Sequence, residues 1–176
     1  DTAVIALAPA PGWPQQTGIT DPDTVQQLSG AFVEMGGDSC AVYSMNGTRL
    51  NSIQSGYARP AIAAGKTRFV LYNRAGYELR VESRTRTLYT NTYTQPILLA
   101  EMAAGGTVAV VTDSSRYLAE VTVYDSTFQP IYQWYPSDSE GVPGQIAFSQ
   151  NGKRFAAACL SAANGQLAVK IHMMDL

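Results

Sequence analysis

The sequence predicts an all-β fold of about four antiparallel blades, and three observations carry that prediction. Apolar and polar residues alternate with period two after Gly30, where no sustained helical period occurs. Asn-Gly dipeptides at Asn46, Asn151 and Asn164 stand between apolar runs, and each predicts a type I′ hairpin because both central residues of that turn need positive φ. Short apolar strands also recur about every 40 to 50 residues, which is typical of a four-stranded propeller blade.

Two columns of equivalent positions define this repeat. The strands CAVYS, LRVES, VTVYDS and VKIHM align on Val42, Val81, Val123 and Ile171. The segments GKTRFVLYN, GGTVAVVTD and NGKRFAAAC align on Gly65, Gly105 and Gly152. Alternation predicts that the first column faces the core, together with Cys40, Leu79, Val121 and Val169 two positions earlier. The opposite strand face, with Tyr43, Glu82, Tyr124 and His172, is predicted to point outward.

The blades follow from these alignments in chain order. Residues 1–29 are predicted to be irregular because they hold the Pro-rich stretch PAPGWPQQTGITDPDTVQQLSG, with one strand at most, near 3–7. Blades are predicted at 30–54, 59–92, 96–135 and 144–173, with three, four, four and three strands. Closed propellers have about four to eight blades. Three arrangements stay open: residues 1–8 complete the last blade, a homodimer forms through the open blade edges, or the blades are part of a larger ring.

Composition excludes several classes of protein. The chain has 176 residues with 12 basic and 14 acidic side chains, and this near-neutral balance argues against a nucleic-acid binder. No apolar run approaches the roughly 18 residues of a membrane helix, so no membrane contact by this segment is expected. Cys40 and Cys159 each lie in an apolar strand, which favours free buried thiols over a disulfide. A single histidine and no Cys-x-x-Cys argue against a zinc site.

No motif predicts catalysis, a metal or a cofactor. His172 has no Gly-x-Ser-x-Gly serine to activate, and Asp175 lies on the opposite strand face. Asp138 and Glu140 fail the calcium-loop pattern and are interpreted as a solvated acidic turn, as are Asp21 and Asp23. Six basic residues lie between Lys66 and Arg86. They are interpreted as a solvated edge with cross-strand pairs, such as Arg80 or Arg84 with a neighbouring glutamate.

The predicted connectivity gathers one set of side chains at a single end of the blades. Loops between second and third strands share that end with loops between successive blades. The residues concerned are Tyr57, Arg59, Arg74, Tyr77, Tyr93, Arg116, Tyr117, Trp134 and Tyr135. Arg, Tyr and Trp dominate binding hot spots. We therefore predict a non-catalytic interaction or sensing module for a protein, peptide or glycan. The alternatives are a hydrolase with a site in the central channel and purely structural blades.

The chain also resembles a known family. The segments YLAEVTVYDS, QWY and NGKRFAAA are similar to a bacterial family of unknown function, mainly from Gram-positive organisms, of WD40-like β-propeller proteins. The resemblance extends from about Ser39 to the C-terminus. It implies a propeller fold and an extracytoplasmic location behind an upstream membrane helix, with a cytoplasmic location as the alternative. It implies no activity and no catalytic residue.

Overall fold

Four antiparallel sheets make up the fold in a computed structural model that describes residues 8–19, 24–37 and 39–176. Sheet A comprises β1 (Thr24–Leu28), β2 (Ala31–Met35), β3 (Ser39–Ser44) and β4 (Arg49–Gln54). Sheet B comprises β5 (Pro60–Ala64), β6 (Arg68–Asn73), β7 (Glu78–Ser83) and β8 (Thr87–Thr92). Sheet C comprises β9 (Ile97–Met102), β10 (Val108–Thr112), β11 (Glu120–Tyr124) and β12 (Pro130–Trp134). Sheet D comprises β13 (Val142–Phe148), β14 (Arg154–Ala163) and β15 (Gln166–Asp175).

The predicted all-β fold of about four antiparallel blades is confirmed. Strands adjacent in the chain are adjacent in each sheet, and the sheets are not closed into a ring. Within the described part of the chain, no helix has the length and apolar character needed to cross a membrane. The structure differs from the prediction at β1, which lies in the segment predicted to be irregular. Only Leu28 of β1 is buried, so its apolar signal is weak. The strand predicted near residues 3–7 lies outside the described residues.

The three Asn-Gly dipeptides all connect neighbouring strands, but only one is a type I′ turn. Asn164 and Gly165 both have positive φ, at 52° and 74°, as that two-residue turn requires. At the other two sites only Gly47 and Gly152 adopt positive φ. The connections there are longer, between β3 and β4 and between β13 and β14, so one left-handed residue is enough to reverse the chain.

Three apolar cores join the sheets in sequence order. Cys40, Val42 and neighbouring residues of sheet A pack against Phe69 and Leu71 of sheet B. Further clusters of the same kind lie between sheets B and C and between sheets C and D. Each inner sheet therefore buries both of its faces, as the blades of a propeller do. The two natural cysteines are buried and free, as predicted.

The strand register shows where the side chains of the first repeated column lie. Val33 pairs with Val42 in sheet A, Val70 with Val81 in sheet B, and Ala109 with Val123 in sheet C. All six side chains are at most 1% exposed. The equivalent pair in sheet D is Ala158 with Ile171, and Ile171 is 62% exposed. The prediction that Ile171 faces the core is wrong, because no described sheet covers that face of sheet D.

The opposite column does not point to solvent, so the prediction for it is wrong. Tyr43 and Glu82 are buried, while Tyr124 and His172 are half-buried. The physical reason is that the sheets stack face to face, so the side facing away from one core faces the preceding sheet or the N-terminal segment. Polar side chains on this column therefore need partners inside the fold.

Glu82 finds its partners across two sheets. Its carboxylate accepts hydrogen bonds from Arg80 Nε at 2.8 Å and from Thr87 Oγ1 at 2.7 Å within sheet B, and from Asn51 Nδ2 of sheet A at 3.3 Å. Arg80 does pair with a glutamate, but within β7 and next to sheet A, and not as the cross-strand pair on a solvated edge that was predicted. Arg84 has no glutamate partner and donates to the Ser29 carbonyl of sheet A at 3.0 Å.

Residues 8–19 cover part of the free side of sheet A. The Trp13 ring lies 5.4 Å from Phe32 and 6.0 Å from Tyr43, between ring centroids. Trp13 Nε1 donates to the Met45 carbonyl at 2.7 Å, and Thr17 Oγ1 donates to Glu34 at 3.2 Å. One end of the row of sheets is therefore capped by residues 8–19, whereas no described residue caps the apolar side of sheet D in this way.

Candidate functional site

All nine residues predicted to bind lie at one end of the sheets, because alternate connections of antiparallel strands share an end. We call this the upper end and define it by residues 55–59, 74–77, 93–96, 113–119 and 134–141. Six of the nine side chains are exposed: Arg59, Arg74, Tyr77, Arg116, Tyr117 and Tyr135. The other three, Tyr57, Tyr93 and Trp134, are half-buried. Exposure thus divides the predicted set into two groups with different surroundings.

An aromatic pair with an adjacent arginine forms the most defined feature of the upper end. The rings of Tyr117 and Tyr135 lie 4.6 Å apart, although their side chains are 48% and 41% exposed. The Arg116 guanidinium lies 5.8 Å from the centre of the Tyr117 ring, within the range of a cation–π contact. These three residues present apolar area, hydroxyl groups and a positive charge on one small surface.

The loop that carries Arg116 and Tyr117 is fixed by its own hydrogen bonds. The Asp113 carboxylate accepts from the Ser114 amide at 2.8 Å. The Ser114 hydroxyl accepts from the amides of Arg116 at 3.2 Å and Tyr117 at 3.0 Å. Such side-chain-to-backbone bonds hold a turn without help from a strand. The backbone that carries Arg116 and Tyr117 is therefore fixed before any partner arrives.

Arg59 and Arg74 form a second exposed group at the upper end. The Arg74 amide donates to the Arg59 carbonyl at 2.8 Å, and the Arg59 amide donates to Asn73 Oδ1 at 3.1 Å. Asn73 Nδ2 in turn donates to Glu78 at 2.9 Å, and this bond lowers the pKa of the Glu78 carboxyl. Tyr77, 44% exposed, follows in the same turn. The backbones of Arg59 and Arg74 are thus held beside each other, with Tyr77 in the adjoining turn.

The three half-buried residues contribute mainly to packing between sheets. The Tyr93 hydroxyl donates to the Tyr124 hydroxyl at 3.0 Å, and burial is the main reason why the pKa of Tyr93 is raised. Burial also raises the pKa of Tyr57. Trp134 packs against the His172 ring at 5.7 Å between centroids. We therefore retain only the six exposed residues in the candidate surface.

A cavity of about 460 Å³ lies between the inner strands and sheet D. Its lining includes Arg74, Gln145 and Ile171, and Glu101 is the one carboxylate among the described residues that line it. Burial raises the pKa of Glu101. Glycoside hydrolysis uses a pair of carboxylates, and the described lining of this cavity contributes one of them.

Other predicted chemical groups have structural partners. His172 Nε2 lies 3.3 Å from the Glu140 carbonyl oxygen. The Glu140 carboxylate accepts from the Ser137 amide at 3.0 Å, and this bond lowers its pKa. Asp21 and Asp23 lie outside the described residues. Over residues 8–19, 24–37 and 39–176, no three His, Cys, Asp or Glu side chains are grouped so that they could hold a metal ion.

Comparison with protein families decides where the chain belongs. The model of a family of unknown function, DUF5711, matches residues 13–176. The chain belongs to that family. A comparison with curated proteins gives no match. An extracytoplasmic location and an upstream membrane helix stay predictions that rest on the resemblance alone.

Solved structures with a similar fold include WD40-like β-propellers. A complex of KlAtg21 with a coiled-coil of AgAtg16 gives a TM-score of 0.65 at 10% identity, over 88% of this chain and 52% of that one. The Pan2 WD40 domain of Neurospora crassa gives 0.53 at 12% identity, over 86% and 48%. Hydrazine synthase of Kuenenia stuttgartiensis gives 0.60 at 14% identity, over 93% and 48%. The chain thus spans about half the length of these structures, and the likeness shows the fold alone.

Proposed function

We propose that this chain is a non-catalytic protein-interaction module that binds a partner protein through its upper end. The observation that carries the proposal is the exposed, preorganised contact among Arg116, Tyr117 and Tyr135. Tyr and Arg are the residue types most enriched at binding hot spots. Loops held on a rigid β scaffold are also where recognition is usually found.

Two further features support a protein as the partner. Arg59, Arg74 and Tyr77 extend the exposed surface beyond the aromatic pair, which suits an extended contact better than a small ligand. One structure of similar fold, that of KlAtg21, is a complex with a coiled-coil. The coiled-coil is a partner of KlAtg21, and for this chain it supports only a protein as the class of partner.

Photo-crosslinking in cells tests the proposal. A photoreactive phenylalanine analogue replaces Tyr117 in the protein expressed from its complete gene. The matched control carries the analogue at Met45, which is equally exposed at 48% and lies in the β3–β4 turn, at the end of sheet A opposite to the upper end. We expect one specific protein to be crosslinked from position 117 and not from position 45, because only the upper end is engaged.

The captured protein then provides a second measurement. Truncating Arg116 and Tyr135 to alanine is expected to weaken its binding to the purified chain at least about tenfold, as for hot-spot residues. The same crosslinked proteins from positions 117 and 45, or unchanged affinity of the double variant, would contradict the proposal.

A further inference from the structure

Sheet D exposes a continuous apolar face. Five large side chains on this face are at least half exposed: Leu160 50%, Leu167 81%, Val169 64%, Ile171 62% and Met173 63%. Leu160 pairs with Val169 across β14 and β15, so the two strands contribute to one surface. Contiguous apolar patches of this kind on soluble proteins mark interaction sites.

The same positions are buried in every other sheet. Leu160 with Val169 corresponds to three further cross-strand pairs: Met35 with Cys40, Tyr72 with Leu79, and Val111 with Val121. Those six side chains are at most 4% exposed. The apolar face of sheet D therefore has the composition and register of an interface between sheets, but none of the four described sheets covers it.

The three existing interfaces also define what covers such a face. In each case the second strand of the following sheet supplies two apolar side chains two residues apart. These pairs are Phe69 with Leu71, Val108 with Val110, and Phe155 with Ala157. In each of these three interfaces, the cross-strand pairs of one sheet pack against the second-strand pair of the following sheet. The partner that fits sheet D is thus a further sheet presenting an apolar pair on its second strand.

We propose that a further blade of the same protein packs against the apolar face of sheet D, so that the propeller continues past β15. This goes beyond the proposed binding function and does not depend on it. Continuity with the three interfaces supports the proposal, and so does the chain's span of about half the length of similar propellers, 52% and 48%. A second copy fits this face less well, because residues 8–19 already cover part of the free side of its sheet A.

Thiol protection tests this proposal with a matched pair of variants. Leu160→Cys lies in the centre of the apolar face, and Ile131→Cys lies on the outer strand of sheet C. Both natural side chains are 50% exposed. Cys40 and Cys159 are buried, and burial raises the pKa of the Cys40 thiol to about 12, so they do not compete for the reagent.

In the 176-residue chain both introduced thiols are expected to react. In the protein expressed from its complete gene, Leu160→Cys is expected to react at least about tenfold more slowly, while Ile131→Cys keeps its rate. Val169→Cys provides an independent repeat of the measurement. Equal rates in the two proteins would overturn the proposal. Protection already in the 176-residue chain, with a doubled mass by light scattering, would overturn it in favour of a second copy.

Discussion

Replacing Val81 by aspartate is expected to cost more than about 4 kcal/mol or to prevent folding, whereas Ile171→Asp is expected to change the free energy of unfolding by less than about 1 kcal/mol. The two residues occupy equivalent positions in their sheets, but Val81 is 1% exposed and Ile171 is 62% exposed. A carboxylate at position 81 would be buried without a partner between sheets B and C, which is among the most destabilising changes. Domains of this kind have only about 5–15 kcal/mol of total stability.

The comparison isolates burial from strand propensity. Both variants place aspartate in the third strand of a sheet, so the intrinsic β-propensity penalty is similar. Urea unfolding followed by circular dichroism, on the 176-residue chain, gives the two free energies. Equal destabilisation by the two substitutions would mean that the two strand faces have the same surroundings, contrary to the structure.

Glu82→Ala is expected to destabilise the chain by about 3 kcal/mol. The carboxylate is fully buried and forms the ion pair with Arg80 Nε at 2.8 Å, and it also accepts from Thr87 and Asn51. Removing it leaves three donors without their acceptor and one charge without its counter-ion. The value lies at the low end of the range for a broken buried pair because Arg80 is 24% exposed and can reach water.

Glu120→Ala is the matched control for this second variant. Glu120 also lies in the third strand of its sheet, but its hydrogen bond to Gln133 is at the surface. Its replacement is expected to cost no more than about 1 kcal/mol. Urea midpoints that are equal for the two variants would show that Glu82 does not join sheets A and B.

Most of the fold could be predicted because the strands are local signals. Alternation and glycine turns placed fourteen of the strands within a few residues of their observed bounds. β1 was missed because only Leu28 is buried in it. The exposure of Ile171 could not be predicted, because the sequence of sheet D has the apolar pattern of a covered sheet. Only the arrangement of whole sheets shows that none of the four described sheets covers this face.

The candidate site was predictable in place but not in detail. Connectivity alone brings the loop residues to one end of the sheets. The contact between Tyr117 and Tyr135 joins two separate loops, and no spacing rule connects them. Burial of Glu82 depends on Asn51 of another sheet. Both features require three-dimensional positions, whereas the sequence reports only periodicity along single strands.

Hydrogen exchange along β15 tests most directly whether sheet D is an incomplete blade of a continuing propeller. β11, the third strand of sheet C, is paired on both edges, whereas β14 is the one described strand that pairs with β15. In the 176-residue chain, amides of β15 that do not bond to β14 are expected to exchange rapidly. In the protein expressed from its complete gene, they are expected to exchange at least about tenfold more slowly, as in β11. Rapid exchange of the same amides in both proteins would contradict a further strand that pairs with β15 and completes the blade.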